Sequence, residues 1–140
     1  NQTNYTASGL KFGTNYYVRL CSVNRDGVTS SVLKLKVKTL SGQALNPKSL
    51  KTINAVNSAV VQWVSSGYEA QGFQLSYSEK SAPPSCNNGS VVPTNTLGLS
   101  TNYKISGLKP STQYGARVCA IGANGVMTNG VTISFKTPAK

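Results

Sequence analysis

Histidine is absent from these 140 residues, and only three carboxylates, Asp26, Glu69 and Glu79, stand against fourteen lysines and arginines. The usual general base near neutral pH is therefore missing. A paired-carboxylate mechanism needs two acids within a few ångströms of each other. Here Asp26 sits in a hairpin signal, and the two glutamates fall in loops or at strand ends. Calcium needs several acidic oxygens, and zinc needs histidine or a larger set of cysteines. No glycine-rich loop follows a strand and opens a helix, so no phosphate cradle is expected. The inventory points away from an enzyme and away from any cofactor or metal. No apolar run reaches the roughly 18 residues that a membrane helix requires, so no span is expected. Nor does a basic stretch followed by an apolar one open the chain, so no signal peptide stands in this form.

What the chain does have is a repeat. Ser8-Gly9-Leu10-Lys11 recurs as Ser106-Gly107-Leu108-Lys109, and Tyr16, Arg19 and Cys21 recur as Tyr114, Arg117 and Cys119. Gly27-Val28 recurs as Gly125-Val126, and Lys38-Thr39 as Lys136-Thr137. Every pair is 98 positions apart, without a gap, and about 15 of the first 40 residues are identical in this register. Self-similarity at a fixed offset marks a modular array. Residues 1–40 therefore read as the closing part of one module, 41–46 as a polar linker, and 47–140 as a second, whole module of ordinary domain size. A forty-residue remnant rarely holds a core alone. Strands from elsewhere in the array, or another polypeptide, are expected to complete the first module.

Polar–apolar alternation recurs along the chain, bounded by Gly, Pro, Asn and Ser clusters, and no helical period is sustained. Ala59, Val61 and Trp63 share one face of a strand. Phe73, Leu75 and Tyr77 share another, as do Tyr103 and Ile105. Tyr114, Ala116, Val118 and Ala120 form a fourth set, and Val131, Ile133 and Phe135 a fifth. With a first strand near Lys48–Asn54, the pattern predicts six or seven short strands, each with one apolar and one polar face. Two antiparallel sheets around a shared core require that pattern. Asp26-Gly27 and Asn124-Gly125 suit tight hairpins, because Asn, Asp and Gly tolerate positive φ.

Residues 41–140 resemble a fibronectin type III domain along their whole length. Trp63, Phe73 and Tyr77 carry the likeness, with Ser106-Gly107-Leu108-Lys109-Pro110-Ser111-Thr112-Gln113-Tyr114 and the alternating Ala116, Val118 and Ala120. Residues 1–40 resemble that domain's last three strands, E, F and G. The resemblance implies an all-β, immunoglobulin-like sandwich, with Trp63 in its core. It gives Tyr16 and Tyr114 the role of a tyrosine corner, whose hydroxyl bonds to backbone just upstream. Tandem domains in secreted bacterial surface proteins look similar, often with a cysteine in strand F. Phe73 departs from the usual tyrosine, and Phe12 stands where the second repeat has Pro110.

The cysteines follow the repeat. The simplest pairing joins Cys86 to Cys119, with Cys21 paired to a counterpart of Cys86 outside this segment. A disulfide implies an oxidising, extracellular or cell-surface location; a reducing compartment would leave all three thiols unpaired. Asn1-Gln2-Thr3, Asn4-Tyr5-Thr6 and Asn88-Gly89-Ser90 match the glycosylation acceptor pattern.

Both modules are basic, within a net charge of +11. Lys34, Lys36 and Lys38 alternate with Leu33, Leu35 and Val37, so their ammonium groups share one face of an edge strand. They serve either as a guard against strand-to-strand aggregation or as an anion-binding ladder. Acidic polysaccharide or a cell envelope are the expected anionic partners. Nucleic acid is not, since no stacking aromatic series accompanies the charge. The sequence therefore suggests a non-enzymatic extracellular structural or adhesive protein, assembled as an oligomer or surface fibre. The alternative is a carbohydrate-binding accessory segment of a secreted hydrolase, for which Tyr17 and Tyr68 are the outward aromatics.

Overall fold

The computed structural model describes residues 3–30 and 32–140; Asn1, Gln2 and Ser31, and with them the first acceptor pattern, lie outside the described residues. The chain divides into two compact units, Asn1–Gly42 and Gln43–Lys140.

The first unit is a hairpin of β1 (Asn15–Leu20) and β2 (Leu33–Lys38), antiparallel, with Tyr17 opposite Lys36 and Arg19 opposite Lys34. Among the described residues, two of the three expected strands form. Residues 4–8, within the segment expected to supply strand E, are irregular. Their counterparts, Asn102–Ser106, do form a strand, and its ladder runs to Ser58–Gln62. Residues 1–42 contain no counterpart of that partner, so the ladder has nothing to bond.

The second unit contains two sheets. One has the order β3 (Lys48–Ala55), β4 (Ser58–Val64), β7 (Asn102–Ser106). The other has the order β6 (Ser90–Val92), β5 (Gly72–Glu79), β8 (Gln113–Ile121), β9 (Val131–Lys136). Side chains alternate across a strand, so Ala59, Val61 and Trp63 of β4 and Ile105 of β7 face Phe73, Leu75, Ala116, Val118, Ala120 and Phe135 of the opposite sheet. Trp63 meets Phe73 edge-on, with centroids 5.5 Å apart. The expected linker is partly absorbed into this unit. Ala44 packs on the core, Pro47 is buried, and the Gly130 N–H donates to Asn46 Oδ1 at 2.8 Å.

Two features differ from the alternation pattern. A single helical turn, α1 (Thr94–Leu97), joins β6 to β7 and buries Leu97. Four residues are too few to show a helical period. Strand β8 is buried on both faces: Gly115, Cys119 and Ile121 are covered as well as the core-facing set. The cover is the segment 80–89 between β5 and β6, which folds back over the outer face as a strap.

The repeat in sequence is also a repeat in hydrogen bonds. The Asn24 N–H donates to Val28 O at 3.0 Å, and the Gly122 N–H to Val126 O at 3.1 Å. Ser30 donates to Ser22 O at 2.8 Å, and Thr128 to Ala120 O at 2.9 Å. Isolated bridges join Val23 to Thr29 and Ile121 to Met127. Each pair keeps the offset of 98.

Candidate interaction surface

The tyrosines named from sequence sit at the entry to β1 and β8. The Lys11 N–H donates to the Tyr16 hydroxyl at 2.9 Å, and the Lys109 N–H to the Tyr114 hydroxyl at 2.9 Å. A threonine network surrounds each. The Thr39 hydroxyl donates to Lys11 O and the Thr137 hydroxyl to Lys109 O, both at 2.6 Å. The Thr14 and Thr112 N–H groups donate to those same threonine hydroxyls, at 2.9 and 3.0 Å. Sequence reading gave the tyrosines a role and noted Thr39 and Thr137 within the repeat, but assigned the threonines none, although Thr14 and Thr39 are identical to Thr112 and Thr137.

In the second unit the strap is fastened by side chains of the sheet beneath it. The Ser76 hydroxyl donates to Ser85 O at 2.8 Å, and Gln74 Nε2 to Cys86 O at 2.9 Å. Arg117 Nε donates to Pro84 O at 2.7 Å, and the Ser134 hydroxyl to Ser81 O. The Cys86 and Cys119 sulfurs are bonded, with Cα atoms 6.1 Å apart. Two glycines make room. A Cβ at Gly115 would lie 2.8 Å from the Pro83 backbone. A Cβ at Gly130, whose φ is +74°, would lie 2.6 Å from Cys119 Sγ and from Val118 O.

At the same positions of the first unit stand Tyr17 and Val32. A strap following the path of 80–89 would overlap the Tyr17 ring. The face stays open, and Tyr17 is 76% exposed. Cys21, the counterpart of Cys119, is an exposed free thiol. A strap reaching Cys21 along the path that Cys86 takes would have to displace the Tyr17 ring.

Lys34, Lys36 and Lys38 are all exposed on β2, sharing a face with Arg19 and Tyr17 across the ladder. Lys36 Nζ lies 5.6 Å from the Tyr17 ring centroid, within cation–π range. Cross-strand register brings Arg19 beside Lys34, which strand alternation alone could not reveal. The opposite face of the hairpin is apolar. Val18, Leu20, Leu33, Leu35 and Val37 are between 43% and 73% exposed. Their counterparts in the second unit pack under β4 and β7, where Ala116 and Val118 are fully buried. Over the apolar face runs an open groove of about 790 Å³, flanked by Thr3 and Tyr5.

One carboxylate is buried. Glu69, in the loop between β4 and β5, accepts from the Ser65 hydroxyl at 2.8 Å and from the Ser66 and Gly67 N–H groups at 2.8 and 3.0 Å. Burial opposes its charge and is the largest single influence. The hydrogen bonds from Ser65 and Ser66, joined by one from its own backbone, outweigh burial together and hold the pKa below the ordinary carboxylate value. A carboxylate with a folded pKa below its unfolded one stabilises the fold fully above the unfolded pKa, and loses that contribution as pH falls through the folded value. Glu69→Ala is therefore expected to destabilise the second unit by about 2 kcal/mol at pH 7, a typical value for hydrogen bonds to a charged group. The gap from wild type should narrow as the pH is lowered below the ordinary carboxylate range. Urea midpoints measured at neutral and acidic pH check this, and a gap independent of pH would contradict it.

Comparison with known proteins places this architecture. The family model described as the fibronectin type III domain matches residues 45–138. Neogenin of Rattus norvegicus is 30% identical over 124 residues, which is 86% of this chain and 9% of neogenin. Neogenin of Mus musculus is 30% identical over the same length, covering 8% of that protein. The chain thus spans less than a tenth of these curated relatives. Among solved structures, the rat CD45 extracellular region, domains d3–d4, superposes with a TM-score of 0.56 at 18% identity, over 98% of this chain and 71% of that one. The chicken CNTN1 FN1–FN3 domains superpose with a TM-score of 0.52 at 16% identity, over 96% of this chain and 44% of that one. These likenesses show the fold. The family match takes in both sheets of the second unit, and the chain belongs to the fibronectin type III family.

Proposed function

We propose that this chain is a structural or adhesive element of an extracellular, non-enzymatic array of fibronectin type III domains. In this reading residues 1–42 close one domain, and its other strands are supplied by polypeptide outside those residues. The supporting observation is the hydrogen-bond repeat: the hairpin turn, the tyrosine corner and the threonine network recur at one offset in both units. The uncovered apolar face of β1 and β2 supports it further, because the equivalent face of the second unit is covered by a sheet that residues 1–42 do not contain. The Cys86–Cys119 bond supports an oxidising location. A chain without histidine and with three carboxylates has little with which to perform acid–base chemistry. Assembly into a fibre at a bacterial surface is the narrower form of the same reading.

Amide hydrogen exchange on the 140-residue chain tests the domain arrangement. Protection requires buried, hydrogen-bonded backbone. The amides of β5 and β8 should be strongly protected while those of β1 and β2 exchange quickly. Equal protection in both units would show residues 1–42 to be self-sufficient and would overturn the arrangement. Labelling intact source cells with a membrane-impermeant amine reagent tests the location. Modification without lysis is expected, and modification only after lysis would refute it.

A further inference from the structure

We infer that the outer face of the β1–β2 hairpin is a docking surface for a linear acidic polysaccharide. The argument needs only the hairpin, and goes beyond the tandem reading above. Arg19, Lys34, Lys36 and Lys38 share this face, and neither strand contains a carboxylate. The three lysines are spaced by about 7 Å along a straight line, the two-residue repeat of a strand. An extended sugar polymer bearing sulfates or carboxylates along its length complements such a line in charge.

The second unit supplies an internal control. Its β9 is an edge strand too, yet it carries Thr132 and Ser134 where β2 carries Lys34 and Lys36. Protection of an edge therefore does not by itself account for the extra charges. In that unit the strap lies over β5 and β8, and the Ser134 hydroxyl, on the exposed face of β9, donates to a strap carbonyl. In the first unit Tyr17 replaces Gly115, Lys36 replaces the strap-binding Ser134, and Arg19 is kept where Arg117 binds the strap. The face is open, and Lys34 and Lys36 add two charges to those the repeat already carries.

Other anionic surfaces fit less well. A bilayer gains little here, because the apolar side chains of the hairpin lie on the opposite face and cannot insert beside the lysines. Single-stranded nucleic acid wants a series of stacking rings. This face offers one, Tyr17, with Lys36 already over it.

The test uses the full chain with heparin as the sulfated probe, hyaluronan as the carboxylated one, and single-stranded poly(dT) as the competing class. Binding is measured by calorimetry at two salt concentrations. Lys34→Thr/Lys36→Ser installs the second unit's own residues and should weaken binding of whichever polysaccharide binds by about tenfold, as two exposed ion pairs would. Lys48→Ser/Lys51→Thr removes the same charge from the other unit and should change affinity by less than about threefold on the same scale. Lys34→Arg/Lys36→Arg should bind as wild type does, which separates lost charge from lost fold. Equal losses in the two charge-removing variants would reduce the effect to net charge and overturn the inference. So would failure of both polysaccharides to bind, or poly(dT) binding more tightly with the same dependence on Lys34 and Lys36.

Discussion

Trp63→Ala should lower the stability of the second unit by about 3–5 kcal/mol, the usual range for removing a fully buried large aromatic. Trp63 is 4% exposed and is the ring through which β4 reaches the opposite sheet, edge-on to Phe73. Removing it withdraws the contact and leaves a cavity between two sheets whose other side chains are fixed by their strands. Among the described residues its indole N–H is buried without a hydrogen-bond partner. Trp63→Phe deletes that unpaired donor along with part of the ring, and should cost less than half as much. Far-UV circular dichroism in urea is the suitable probe, because Trp63 is the sole tryptophan and fluorescence is lost with it. A loss below about 1 kcal/mol for the alanine variant, the level of an ordinary surface change, would mean that the sheets do not depend on this ring.

Removing the disulfide is expected to have a comparable effect. Cys86 and Cys119 are 33 positions apart. Cross-linking a loop of that length stabilises a fold by about 3–4 kcal/mol on the chain-entropy account. Cys86→Ser/Cys119→Ser should therefore lower the urea midpoint markedly and raise amide exchange in residues 80–89, although the hydrogen bonds from Ser76, Gln74 and Arg117 remain. Cys21→Ser is the control. Its thiol is exposed and free, and the change should stay within about 0.5 kcal/mol, as for other surface positions. If the double variant matched this control, the strap would be held by its hydrogen bonds alone.

Much of this architecture is legible in the residue pattern, for a definable reason. Strands β4, β7 and β9 bury one face, and β5 and β8 keep a continuous core-facing set, so the period of two is written directly into Ala59-Val61-Trp63 or Tyr114-Ala116-Val118. The pattern fails where burial comes from outside the sandwich. Ser76 is polar and outward-facing by alternation, yet fully buried, because the strap lies on it. A clue was available in the repeat: Gly115 and Gly130 stand opposite the larger Tyr17 and Val32, and both mark close backbone approach. Residues 4–8 erred in the opposite direction. Their sequence is a good match to β7, but a strand needs a partner, and the partner's counterpart is not among residues 1–42. For the candidate surface, the alternation of Lys34, Lys36 and Lys38 was plain. The contribution of Arg19 and Tyr17 depended on hairpin register, which only the paired backbone supplies.

The threonine beside each tyrosine corner has a mechanical consequence. Thr39 stands where the chain leaves β2, and its hydroxyl ties that exit to Lys11 at the entrance of β1, while the Gly13 N–H holds Leu40 O at 2.8 Å. A pull on the chain beyond Leu40 meets this latch before it reaches any rung of the ladder. The strand cannot peel from its end one bond at a time until the latch has given way, so tension is resisted first by a few short bonds loaded together at the point where the two units are joined.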